Sequence, residues 1–205
     1  MKIAVVGGTG DFGLALAQRL VDAGEDVVIG SRDAERAAAK GAEVGAGGAA
    51  NDDAVRDVDL VVLAVKSDAA LPTAKALVAA IGDTPVLSVA SELRFTKQGV
   101  LPGEDARSIA ERTQELLHAP VVAGLHSLAA ASLASGKADG DALVCGDDTG
   151  AKELALALAA LVVTGRALDA GPLASARALE GMTAVIVNLN KRYRAHAGVQ
   201  VTGLH

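Results

Sequence analysis

Apolar residues along this chain follow two alternating periods. Residues 2–7 form a short valine-rich run closed by glycine. Residues 11–23 then put Phe12, Ala15, Leu16 and Leu20 at helical spacing, so the opening reads strand, turn, helix. Residues 26–30 supply a second strand, 33–43 a second helix and 60–65 a third strand, an order that requires a parallel sheet. A short turn of helix is expected within 51–58, and the small-residue stretch 41–50 is expected to be a flexible helix end and loop. The alternation continues through a helix near 69–81, a strand at 85–89, a helix near 104–117 and a strand at 120–125. It loosens over 127–136, then resumes as a strand at 142–146, a helix at 149–163, an extended stretch at 166–170 and a long final helix over about 173–196. The pattern predicts an α/β fold: a doubly wound Rossmann-type parallel sheet with a small C-terminal αβ extension and that long final helix. Leu173, Ala176, Leu179, Met182, Ile186 and Leu189 give the last helix an apolar face suited to a second subunit, so a homodimer is expected.

Composition narrows the function classes. With 51% hydrophobic residues in 205, the chain can seal a core on both faces of a sheet. A net charge of -6 argues against a nucleic-acid surface. Aromatics are confined to Phe12, Phe95 and Tyr193, so a flat ligand must lie on aliphatic side chains and backbone. The single cysteine, Cys145, sits in an apolar run and reads as a buried strand residue, and a reducing compartment is expected. Glycines interrupt the opening apolar stretch, and the longest later run, 154–163, is too short to span a bilayer. The expectation is a cytoplasmic protein without a membrane partner.

Between the first strand and the first helix stands Gly8-Thr9-Gly10-Asp11-Phe12-Gly13, a match to G-x-G-x-x-G in the context that gives the motif meaning. The spacing suits a dinucleotide: a tight turn at the first glycine, backbone approach to a pyrophosphate at the second, close helix packing at the third. The helix N-terminus supplies the favourable dipole and free amides, among them those of Thr9, Asp11 and Phe12. The second strand ends in Gly30-Ser31-Arg32-Asp33, where an NAD site would place a carboxylate on the ribose. Ser31 and Arg32, with Arg36 one helical turn on, suit the 2′-phosphate of NADP instead, and Asp33 is expected to cap the second helix. NADP(H) is therefore the expected cofactor, held by residues 1–140. Residues 141–205 form an extension expected to contribute to the acceptor site and the dimer contact.

Taken with Gly7, Gly146-Asp147-Asp148, Asp169-Ala170-Gly171-Pro172-Leu173, Asn190-Lys191-Arg192-Tyr193 and Ala195-His196-Ala197-Gly198, these segments make nearly the whole chain resemble the coenzyme F420:NADP oxidoreductases. The resemblance implies hydride transfer between NADP(H) and the deazaflavin coenzyme F420. It implies NADP contacts from Thr9 to Phe12 and from Ser31, Arg32 and Arg36, with Val65 and Val89 at strand ends near the cofactor and Ala130 beside the nicotinamide. The chain departs from the family at Lys66-Ser67, where many members carry proline and tryptophan. It departs again at Val89-Ala90-Ser91-Glu92-Leu93, where they carry an asparagine- or serine-proline-leucine turn. Both segments border the implied deazaflavin pocket.

Hydride transfer between two redox cofactors needs positioning and water exclusion more than a proton donor. The sequence agrees, offering no Ser-x-x-x-Lys or Tyr-x-x-x-Lys pair and no metal-ligand cluster. Of four histidines, His126 follows a strand at the carboxyl edge of the sheet. Its candidate catalytic role is to orient the acceptor ring or stabilise charge on it; the alternative is a loop histidine tied to backbone. Asp147 and Asp148 read as caps, and Asp169 to Pro172 as a turn into the final helix. Lys191, Arg192 and Arg194 read as a solvated helix face or as a lure for the anionic tail of F420. Two rival functions keep the NADP(H) site: reduction of an imine, a flavin or another small acceptor, and a binding module that turns nothing over.

Overall fold

The computed structural model describes residues 1–204. It opens β1 (Lys2–Val6), α1 (Asp11–Asp22), β2 (Asp26–Ser31), α2 (Ala34–Val44), close to the periods read from sequence. The stretch expected as a loop then departs from expectation. Gly47–Ala50 is β3, a parallel edge strand on β2. Its residues have no strand preference; what favours them is the lack of side chains. A Cβ on Gly48 would stand 2.2 Å from the Ala37 carbonyl oxygen, and one on Gly41 2.7 Å from that of Ala46, so α2 and β3 meet backbone to backbone.

The chain continues through α3 (Asn51–Ala54), β4 (Leu60–Leu63), α4 (Ser67–Ile81) and β5 (Val86–Ser88). An antiparallel hairpin of β6 (Leu93–Thr96) and β7 (Gly99–Pro102) follows, which the periodicity does not predict. The hairpin and its exit shorten the helix expected at 104–117 to α5 (Ile109–Gln114). Its start is fixed by a capping box: Ser108 Oγ accepts from the Glu111 amide at 3.0 Å while the Glu111 carboxylate accepts from the Ser108 amide at 2.7 Å. After β8 (Val121–Gly124), the loosened segment holds α6 (Ala130–Ser135), which packs on α1. Then come β9 (Ala142–Gly146), α7 (Thr149–Val162), β10 (Ala167–Asp169), a 3-10 turn at Leu173–Ser175 and α8 (Ala176–Tyr193). The final helix is thus shorter at both ends than its apolar pattern predicts.

Eight strands form one sheet in the order β10-β9-β8-β5-β4-β1-β2-β3. From β8 to β3 every pair is parallel. β9 is antiparallel to β8, and β10 is parallel to β9, so the last two strands run against the rest. The six residues of α6 do not carry the chain back along the sheet, and it re-enters at the edge it left.

Side chains alternate across β1. Ile3 and Val5 join Leu16, Leu20, Ile29 and Leu158 in one core, while Ala4 and Val6 join Leu77, Ile81, Ile109 and Leu179 in the other. Cys145 lies fully buried in the second core, and burial pushes its thiol up to about 12, which removes it as a nucleophile.

Candidate functional site

β1 pairs with β2 on one side and β4 on the other, so the chain winds away from it in both directions. Ligands of doubly wound sheets collect at the carboxyl end of such a strand, and the glycine loop lies there. The residue that bends the chain is Gly7, with φ 85°, one position before the motif glycine read as the tight turn. Gly8 and Gly13 act by closeness. A Cβ on Gly8 would meet the Ile29 side chain at 2.6 Å, and one on Gly13 would meet the Gly7 carbonyl oxygen at 2.6 Å. The first turn of α1 is thereby seated on the loop. Gly10, its N-cap, brings no side-chain acceptor, which leaves first-turn amides available to an anion.

A cleft of about 1080 Å³ runs from this loop past Ser31, Arg32 and Arg36 to the end of β4 and the first turns of α4. Asp33 caps α2, accepting from the Arg36 amide at 3.0 Å, and its own amide donates to Ser31 Oγ at 3.2 Å. That capping role accounts for the carboxylate in the strand-end sequence. Arg32 and Arg36 are exposed, and neither is in an ion pair among the described residues. Asn51 also lines the cleft, and its Oδ1 is buried without a partner.

A second, smaller pocket of about 220 Å³ shares Ala64, Val65 and Lys66 with the cleft. Its other walls include Phe12, Val89, Leu93, Leu125, Leu128 and, as polar members, Ser91, His126 and Thr183. Among the described residues Lys66 is its one charged lining residue once His126 is neutral. Burial lowers the His126 pKa from 6.5 to about 4, so the ring is uncharged at neutral pH. Ser91 Oγ lies 3.0 Å from His126 Nδ1 and 2.8 Å from Thr183 Oγ1, and Thr183 Oγ1 donates to the His126 carbonyl at 2.9 Å. The preceding Leu125 is buried at φ 64°, a left-handed conformation that costs roughly 1–2 kcal/mol for a residue with a Cβ.

The structure therefore gathers Thr9, Gly10, Ser31, Arg32, Arg36 and Val65 on the cleft, and Phe12, Val65, Val89 and His126 on the pocket. Gly8 and Gly13 lie beneath, and Asp11 is exposed on the first turn of α1. Ala130 opens α6 and lines neither cavity. Asp148 caps α7 through the Ala151 amide at 2.7 Å, whereas Asp147 accepts from the Leu173 amide at 2.9 Å, ahead of the last helix. Lys191, Arg192 and Arg194 are exposed at the end of α8, with Lys191 Nζ 5.3 Å from the Phe95 ring centre.

A family profile described as NADP oxidoreductase, coenzyme F420-dependent, matches residues 2–92. The F420-dependent NADP reductase of Methanothermobacter thermautotrophicus is 37% identical over 226 residues, covering 100% of this chain and 96% of that protein. The chain belongs to the F420-dependent NADP reductase family. The relative from Methanothermobacter marburgensis is 34% identical over 226 residues, covering 100% of this chain and 99% of its own. A crystal structure from Arthrobacter sp. FB24, assigned provisionally as an F420-dependent NADP-reductase, superposes with a TM-score of 0.85 at 26% identity and covers 99% of this chain and 100% of its own. Asn51, Lys66, Ser91 and Thr183 are among the cavity residues that sequence reasoning did not single out as binding groups. Lys66 and Ser91 carried a signal, since each falls in a segment where the chain departs from the family pattern; Asn51 and Thr183 carried none.

The depressed His126 pKa has a stability consequence. Below 6.5 the unfolded chain takes up a proton that the folded ring resists until about 4, so stability falls with pH through that window. The thermal unfolding midpoint of the wild type should drop more steeply as pH is lowered between those values than that of His126→Gln. Equal slopes would mean that the ring titrates normally in the fold.

Proposed function

We propose that this member of the family transfers hydride between NADP(H) and coenzyme F420, the dinucleotide in the large cleft and the deazaflavin in the small pocket. The observation that carries this reading is the meeting of the two cavities at Ala64, Val65 and Lys66. The residues fit the dinucleotide: glycines that admit close approach, free amides in the first turn of α1, and at the end of β2 a hydroxyl with two guanidiniums that make no ion pair among the described residues. When bound, the dihydronicotinamide supplies the hydride and the deazaflavin accepts it, with a proton completing NADPH + H⁺ + F420 → NADP⁺ + F420H₂.

The protein's part is to hold the reacting carbons about 3–3.5 Å apart and keep water out. Amides of Thr9, Asp11 and Phe12 bind the pyrophosphate, that of Gly10 being donated to the Gly7 carbonyl, and Ser31, Arg32 and Arg36 bind the 2′-phosphate. Asn51 Oδ1, buried and unsatisfied, suits a ribose hydroxyl of the same nucleotide. Val65 and Val89 form an apolar wall flanking the rings, and Ala130, at the start of α6, is assigned to the nicotinamide side. Lys66 offsets negative charge gained by the acceptor.

In this reading residues 1–140 hold NADP(H), while 141–205 complete the acceptor pocket through Thr183 and supply the subunit contact. Most of the apolar face expected to meet a second subunit, Leu173, Ala176, Leu179 and Ile186, is instead buried within the protomer, so in this reading the contact is a homodimer through exposed Val185, Leu189 and Tyr193 on α8 beside Phe95 and Leu101 of the hairpin. Light scattering should give twice the monomer mass and Val185→Glu should halve it; a monomer in the wild type would exclude the dimer. No described helix is long and apolar enough to cross a membrane, and the working compartment in this reading is the cytoplasm.

Mixing protein anaerobically with NADPH and oxidised F420 should bleach both absorbance bands together, with NADH far slower. Arg32→Ala should raise KM for NADPH about tenfold, the worth of a charge-assisted hydrogen bond, with kcat little changed. NADPH binding without bleaching of either band would overturn the choice of acceptor.

A further inference from the structure

The hydrogen-bond chain behind the small pocket contains its own proton count. Thr183 has one hydroxyl hydrogen, and its bond to the His126 carbonyl consumes it, because a carbonyl only accepts. The 2.8 Å contact between Ser91 and Thr183 must then be donated by Ser91. That uses the one hydrogen of Ser91, so the 3.0 Å contact to His126 Nδ1 must be donated by the ring. The neutral imidazole carries its proton on Nδ1. Nε2 is left with a bare lone pair, buried and without a partner, in a residue that lines the pocket.

We infer that Ser91 and Thr183 lock His126 in the Nδ1–H tautomer, so that Nε2 serves as a hydrogen-bond acceptor for a ring N–H of the second substrate. The inference rests on the reading of F420 as that substrate, whose pyrimidinedione edge carries an imide N–H beside its carbonyls. It changes the role assigned to His126. A neutral ring presenting a lone pair orients the acceptor and donates nothing to a carbonyl or a developing oxyanion. Ser91 and Thr183 act through the ring as positioning residues, and Ser91 lies in the segment that departs from the family's proline turn. The ring stays uncharged in this arrangement, since burial without a carboxylate partner disfavours imidazolium.

The test begins on the ligand-free protein. Long-range ¹H–¹⁵N correlation spectra, with the buried ring assigned by its loss in His126→Gln, should show Nδ1 protonated and Nε2 bare in the wild type. Thr183→Val keeps the side-chain shape but removes the acceptor of the Ser91 hydrogen, which then turns to Nδ1. The two nitrogen signals should exchange character, and Ser91→Thr, which keeps the hydroxyl, should hold the wild-type pattern. Binding of oxidised F420, followed by its fluorescence, should weaken about tenfold in Thr183→Val because two donors then face each other, while NADPH affinity is unchanged. A wild-type ring protonated on Nε2, or a tautomer exchange that leaves F420 affinity unaltered, would overturn the inference. Failure of the wild type to bind F420 at all, with the Nδ1–H tautomer present, would instead strike the choice of substrate.

Discussion

The arrangement depends on one constraint: β1 is hydrogen-bonded on both edges and buried on both faces. A strand so enclosed can leave the sheet only at its end, and the two halves of the sheet diverge there. The crevice that opens between them is where backbone amides and a helix dipole are already directed. Close packing at Gly8 and Gly13 converts that topological opening into a surface a phosphate group can approach. A side chain at Gly13 would push α1 off the loop, and one at Gly8 would collide with Ile29 of β2 and the Val5 carbonyl, so either would disturb the binding surface together with the packing.

What surrounds the second cavity is chemically quiet, and this fits the reaction. Among the described residues its walls are mostly aliphatic, its one histidine is neutral, and Lys66 is its single charge. An enzyme that reduced a simple carbonyl by the same hydride would need a proton donor poised near neutrality. Here the redox cofactors carry the chemistry, and the protein contributes proximity, dryness and the placement of hydrogen-bonding groups. The left-handed backbone at Leu125 fits the same account: it directs the chain so that His126 meets Ser91 through its ring and Thr183 through its carbonyl.

The first half of the sheet was legible because its elements obey local rules. Valine-rich strands, a contextual glycine motif and a capping aspartate each have a physical signature in a few neighbouring residues. The edge strand β3 escaped because Gly47–Ala50 is stabilised by what is missing from it, close contact with α2, which no propensity encodes. The β6–β7 hairpin escaped because half of it is exposed and it packs against α8, far away in sequence. The reversal of β9 depends on how α6 docks on α1, again a tertiary choice. The cofactor cleft follows the same division: Thr9, Ser31 and Arg32 were legible from local pattern, whereas Asn51 and Thr183 reach the cavities only through the fold.

The central claim is direct transfer between two ligands held in adjoining cavities. Its most direct test is a single turnover with NADPH deuterated at the transferable C4 position, in ordinary water, with the reduced deazaflavin analysed by mass spectrometry. The account predicts that the deuterium is recovered in the reduced F420 and that none is exchanged for solvent hydrogen. Loss of the label to water would contradict it, since the hydrogen would then have passed through an exchangeable group that the adjoining cavities do not require.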